Sequence, residues 1–109
     1  MSVTEEQIRE TAKRAAEVLR QRGWCQGMFC ANLDGTGPVC LMGAVSVAGG
    51  DGPNYGFRGQ RRDLHVAIAD RVERSLDLRG SVAGWNDAPG RTADEVIAVL
   101  ERVAAGEGA

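Results

Sequence analysis

Cys40 stands directly before the apolar run Leu41-Met42-Gly43-Ala44-Val45. A helix over that run places the thiol at its positive end, where the thiolate and its nucleophilic chemistry are favoured. A second chemistry is metal binding. Cys25, Cys30, Cys40 and His65 offer three thiolates and one imidazole, a donor set that suits zinc. Their spacing argues against it: four residues separate Cys25 from Cys30, nine more precede Cys40, and no Cys-x-x-Cys pair occurs. No metal and no cofactor is therefore expected. A third chemistry is anion recognition by Arg58, Arg61 and Arg62, because guanidinium forks match phosphate and carboxylate oxygens. Asp63 partly offsets that cluster, and neither "GGDG" nor "DGTGP" leads into the Gly-Lys-Ser/Thr of a phosphate loop.

The densest stretch is "GWNDAPGRT", Gly84 to Thr92. Trp85, Asn86, Asp87 and Arg91 are its candidate ligand contacts. The same residues also suit a stiff joint between helices. Pro89-Gly90 fits the centre of a type II turn. Asn86 and Asp87 can bind nearby backbone N–H groups. Trp85 is expected to anchor the joint in the core, its indole N–H finding an acceptor.

Helices must position these residues. "TEEQIRETAKRAAEVLRQRG" has a capping box at Thr4 and Gln7 and an apolar stripe of Ile8, Ala12, Ala15 and Leu19. Gly23 suits its C-terminal cap. "CLMGAVSVAGG" reads as a short buried helix ending at Gly49-Gly50, with a buried strand as the alternative. Leu64, Ile68, Val72 and Leu76 step by four along a further helix that Gly80 stops. Ser81 can cap a helical turn. Thr92 and Glu95 form a second capping box before the last helix, and the tail from 107 to 109 is expected to fray. Between the first two helices, "MFCANL" and "PVC" flank "DGTG", the chemistry of a hairpin turn. "DGPNYGFRGQ" is a loop, with Tyr55 and Phe57 expected to tack it to the core. The expected class is α+β, mostly helical, with about four helices and one short β-hairpin after the first.

The 109 residues suit one domain, 1–109. Hydrophobic residues make up 43% and charged residues 26%, an ordinary globular balance. A net charge of −2 lacks the basic excess that a phosphate-backbone partner calls for, so nucleic acid is not the expected partner. No stretch approaches the roughly 20 apolar residues of a membrane span. The first residues lack the order of a secretory signal, and three cysteines fit a reducing compartment, so the expected location is the cytoplasm.

Two resemblances bear on these residues. The order Gln26, Cys40, His65, Asn86 resembles that of papain-like cysteine proteases and related transferases. There the glutamine donates to the oxyanion, the histidine is the base and the asparagine orients it. The chain departs from that family in its shortness, in a histidine set within a helix, and in lacking the family's cysteine-flanking signature. "RGWCQG", "CLMGA" and "WNDAPGRTADEV" together resemble a family of small uncharacterised proteins of actinobacteria and their phages. That resemblance spans nearly the whole chain except Asp51 to Arg79. It implies an intracellular bacterial protein and no particular activity.

No catalytic set meets the tests of spacing and context together. The expectation is a small cytoplasmic accessory or regulatory module that binds a protein or peptide partner, or a small anionic molecule, without catalysis. The alternatives are a cysteine-dependent acyl or peptidyl enzyme and an anion or nucleotide binder. The small residues Gly43, Ala44, Ser46 and Ala48 form a face on which a homodimer could close.

Overall fold

A computed structural model of the chain describes residues 2–109. Five α-helices carry it: α1 (Glu5–Arg22), α2 (Leu41–Ala48), α3 (Arg62–Leu76), α4 (Val82–Asn86) and α5 (Ala93–Ala104). A short 3-10 turn, Pro53–Tyr55, lies between α2 and α3. Both capping boxes form. The Thr4 hydroxyl accepts from the Gln7 N–H while Gln7 accepts from the Thr4 N–H, and Thr92 and Glu95 do the same for α5. Ser81 caps α4 by accepting from the Gly84 N–H.

α1 packs against α5 and against α2, presenting the fully buried Ala12, Ala15 and Ala16. Side chains this small let neighbouring helices approach closely. The remaining core comes from Leu41 and Val45 of α2, Ile68 and Val72 of α3, and Val96, Leu100 and Val103 of α5, all fully buried. α3 ends earlier than the glycine at 80 suggests. Asp77 adopts the left-handed conformation at φ 52° and closes the helix after Leu76.

The expected hairpin does not form, and the α+β class is corrected to a helical one: no β-strand occurs among the described residues. Val39 instead makes two isolated bridges, parallel to Trp24 and antiparallel to Cys30. The Val39 N–H donates to Gly23 and its carbonyl accepts from the Cys25 N–H. On the other side, Ala31 N–H donates to Pro38 and Cys40 N–H to Phe29. Both ladders stop after one pair for local reasons. Pro38 has no N–H to donate, and Cys40 already caps α2. Gly35 and Gly37, both at positive φ, turn the chain before a second pair is reached.

The small-residue face of α2 is also used within the chain rather than left for a second copy. Gly43, Ala44 and Ser46 are buried. A Cβ on Gly43 would stand 2.1 Å from the Phe29 carbonyl oxygen. The loop after α2 is held by polar contacts, not by its aromatics: Tyr55 and Phe57 are 48% and 39% exposed. Asp51 accepts from the backbone N–H groups of Gln60 and Arg61, and the buried Ser46 hydroxyl donates to the Gly52 carbonyl. The Phe29 ring closes over Gly56, where a Cβ would meet Phe29 Cε1 at 2.4 Å.

Candidate functional site

α4 is only five residues long, yet its last residue organises one end of the molecule. The Asn86 side chain is 1% exposed. Its Oδ1 accepts from Trp24 Nε1 at 2.7 Å and from the Leu41 N–H at 3.1 Å. Its Nδ2 donates to the Cys25 carbonyl at 3.2 Å and to Asp87 Oδ1 at 2.9 Å. All four hydrogen-bonding positions of the amide are filled. One side chain thus joins the 23–40 loop, the start of α2 and the end of α4. Gln26 reinforces the joint by donating from Nε2 to the carbonyls of Asn86 and Ala88, both at 3.0 Å. Gly27 N–H donates to Asp87 Oδ1 at 2.9 Å.

The indole that ties down this joint is therefore that of Trp24. Trp85 is half-buried against the core, with the Arg91 guanidinium stacked 4.1 Å from its ring centroid. Arg91 Nε donates to the Trp85 carbonyl and Nη1 pairs with Glu95 at 2.9 Å. Neither Gln26 nor Asn86 has a side-chain donor left for a developing oxyanion.

The joint leaves a cleft of about 200 Å³ between the 27–29 segment, the first turn of α2 and α4. Met28, Phe29, Leu41, Met42, Val82 and Ala83 give it mostly apolar walls. Cys40 lies among the lining residues and the exposed Asp87 sits at the rim. The Cys40 thiol is buried and accepts from the Gly43 N–H at 3.4 Å, which makes it the cap of α2. Burial pushes its pKa up. The N–H groups of Gly43 and Met42 pull the other way, while the Asp87 carboxylate adds to the rise. Desolvation outweighs the helix end, so the group is a thiol at neutral pH. Cys25 is likewise raised, to about 11, chiefly by burial.

His65 does not join Cys40. Its Nε2 lies against Gly49, the residue that closes α2, whereas Cys40 opens it. The eight residues of α2 separate them by about 12 Å at 1.5 Å per residue. Cys40 and Asn86 meet at the cleft, and the imidazole remains at the opposite end of the helix. The four-donor zinc set fails for the same reason. Among the described residues no group of three or more His, Cys, Asp or Glu side chains is arranged to hold an ion. Cys30 is buried instead with its thiol donating to the Thr36 carbonyl at 3.1 Å.

Arg58, Arg61 and Arg62 are exposed at the start of α3. The backbone donors that would complete an anion seat there, on Gln60 and Arg61, already bind the Asp51 carboxylate. Gly59 permits this approach: it holds φ +91°, and a Cβ would come within 2.5 Å of Asp51 Oδ2. Asp51, Trp24 and the methionines of the cleft were not legible as site residues. Nothing in their sequence neighbourhood marks a partner 9 or 62 residues away.

Residues 3–106 match a family of unknown function, DUF6197. The chain belongs to that family. No curated protein and no solved structure is detectably similar. Membership of DUF6197 assigns no activity, so the case for one rests on the cleft and its surroundings.

The buried His65 carries a prediction of its own. The ring is fully buried, and neither nitrogen has a hydrogen-bond partner among the described residues. Asp51 Oδ2 lies 3.6 Å from Nε2. Burial lowers the pKa below the usual 6.5, Asp51 and the backbone of Arg58 and Gly56 oppose this, and Arg61 adds slightly to the lowering. A depressed histidine pKa means that the unfolded chain takes up a proton first as pH falls. The stability due to the neutral ring is complete above about pH 6.5 and is lost as pH drops from there toward the folded pKa. The unfolding free energy of wild type, measured in urea, should fall as pH drops through that window, by at most about 1.4 kcal/mol per pH unit, relative to His65→Gln. Parallel pH profiles for the two proteins would contradict it.

Proposed function

We propose that this DUF6197 member is a non-catalytic binding module that seats one apolar side chain of a protein partner in the cleft beside Asn86. The observation that carries the reading is the cleft's composition. Its walls are Met28, Phe29, Leu41, Met42 and Val82, and its thiol is a buried helix cap with no imidazole nearby. A volume of about 200 Å³ suits a side chain or a small fragment rather than a cofactor, since drug-sized sites begin near 300 Å³. Met28 is 54% exposed at the mouth, and flexible thioethers adapt to varied apolar surfaces. The polar groups beneath are consumed by the joint, so the cleft is held open by a rigid frame. That frame lowers the ordering cost of binding.

Methyl-labelled methionine gives a direct readout, because Met28 and Met42 both line the cleft. End-capped pentapeptides of glycine carrying a central Leu, Met or Phe, at millimolar concentration, should shift both methyl resonances in a saturable way. The all-glycine peptide should not. Ala83→Trp, a change at an exposed wall residue, should abolish the shifts while leaving the melting temperature near that of wild type. Silent methyls with all three apolar peptides would overturn the reading.

A further inference from the structure

The cleft has one charged group at its rim, and that group is fixed in place. Asp87 Oδ1 accepts from the Gly27 N–H and from Asn86 Nδ2, both at 2.9 Å. These two bonds orient the carboxylate from the side of the joint. Among the described residues Oδ2 has no hydrogen-bond partner, and no lysine, arginine or histidine nitrogen lies within 4.0 Å of the carboxylate. The nearby arginine in sequence, Arg91, is committed to Trp85 and Glu95. The carboxylate's field reaches Cys40 in the cleft wall, where it adds to the rise that burial imposes on the thiol.

The opposite charge has no seat there. The N–H groups at the start of α2 would ordinarily attract an anion. Here Leu41 N–H is bonded to Asn86, and Gly43 N–H to the Cys40 thiol. An anionic ligand would meet the Asp87 carboxylate at a helix end where two of the first-turn donors are already committed and the Met42 N–H faces the Cys40 thiol.

Building on the cleft reading, we infer that the occupant is a peptide segment of a partner protein in which an apolar residue is followed by a lysine or arginine. The apolar side chain fills the space between Met28, Phe29 and Val82, and the cation pairs with Asp87 Oδ2. The peptide assignment follows from the cleft's size, which takes one side chain, and from its open mouth beside the exposed Met28 and Asp87. The charge supplies selectivity more than affinity, since a rim-exposed pair contributes little on its own.

The test uses the same methyl-labelled full chain and three capped peptides, Gly-Gly-Leu-X-Gly with X as Lys, Gln or Glu. The lysine peptide should bind about threefold more tightly than the glutamine one and about tenfold more tightly than the glutamate one. Asp87→Asn keeps an Oδ1 acceptor for Gly27 and Asn86, so the joint is retained while the charge is removed. In that variant, and in wild type at 0.5 M sodium chloride (a Debye length of roughly 4 Å), the three affinities should converge. Equal affinities in wild type would overturn the charge assignment and leave the apolar cleft standing. A lysine preference that survives in Asp87→Asn would overturn it too. Silence from all three peptides would bring down the cleft reading and this inference together. If isopentylamine binds as tightly as the lysine peptide, the occupant is a small amine and the peptide assignment falls.

Discussion

Asn86→Ala should lower the unfolding free energy by about 4 kcal/mol, enough to leave a domain of this size barely folded. The amide itself is small, and the loss comes from what it leaves behind. Trp24 Nε1, the Leu41 N–H and the Cys25 carbonyl each lose their partner at a joint where Asn86 is 1% exposed. A buried donor or acceptor without a partner costs about 1–3 kcal/mol. Water entering at the partly exposed Trp24 edge offsets some of the sum, which keeps the figure below the simple total. Asn86→Asp should be nearly as damaging: it retains Oδ1 but replaces the Nδ2 donor and sets a charge beside Asp87. Denaturant unfolding measures both. Trp85→Ala provides the contrast. That ring is half-buried and holds no hydrogen bond across the joint, so its removal should cost clearly less than the loss of Asn86. If Trp85→Ala proved the more destabilising, the joint would depend on the indole of α4 rather than on the amide.

The contrast between those two residues marks how far the sequence could be read. The short side chains at 86 and 87 announced a loop tied down by side-chain hydrogen bonds, and both are so used. The tryptophan beside them was the natural anchor by proximity in the chain. The indole that bonds to Asn86 belongs instead to Trp24, 62 residues away, and no local pattern in one sequence encodes such a pairing. The helices were legible because their signals are local: capping boxes at Thr4 and Thr92, apolar residues at every fourth position, a serine before α4. The hairpin failed because its turn residues were real while its strands were not. Asp34 does fold back on Thr36 with a hydrogen bond of 3.0 Å, but Pro38 and the Cys40 cap leave room for one bridge. The position of Cys40 before an apolar run raised a reactive thiol as an alternative, and burial opposes it. Its place at the helix end was correct, yet burial shifts a thiol further than a helix end of eight residues can offset.

Gly43→Ala tests whether the cleft wall is as rigid as its geometry implies. In an exposed helix this change would stabilise by about 1 kcal/mol, since alanine is the better helix former. Here the new Cβ would stand 2.1 Å from the Phe29 carbonyl oxygen, 3.1 Å from its carbon and 3.1 Å from Val39 Cβ. The first of these is backbone, and it cannot swing aside as a side chain would. The Phe29 carbonyl also accepts from the Cys40 N–H at 3.1 Å, so moving it breaks the bridge that fixes the 29–31 segment to the start of α2. The steric term should win, with a net loss of about 2–4 kcal/mol, in the range of overpacked cores. Gly84→Ala is the matched control within α4: its Cβ would meet only Ser81 Oγ, at 3.2 Å. That variant should stay within about 1 kcal/mol of wild type. A Gly43→Ala protein that unfolds at the wild-type denaturant midpoint would mean that Phe29 yields freely. The cleft would then be a wall that moves with its ligand, and the low ordering cost that supports its use as a binding site would no longer apply.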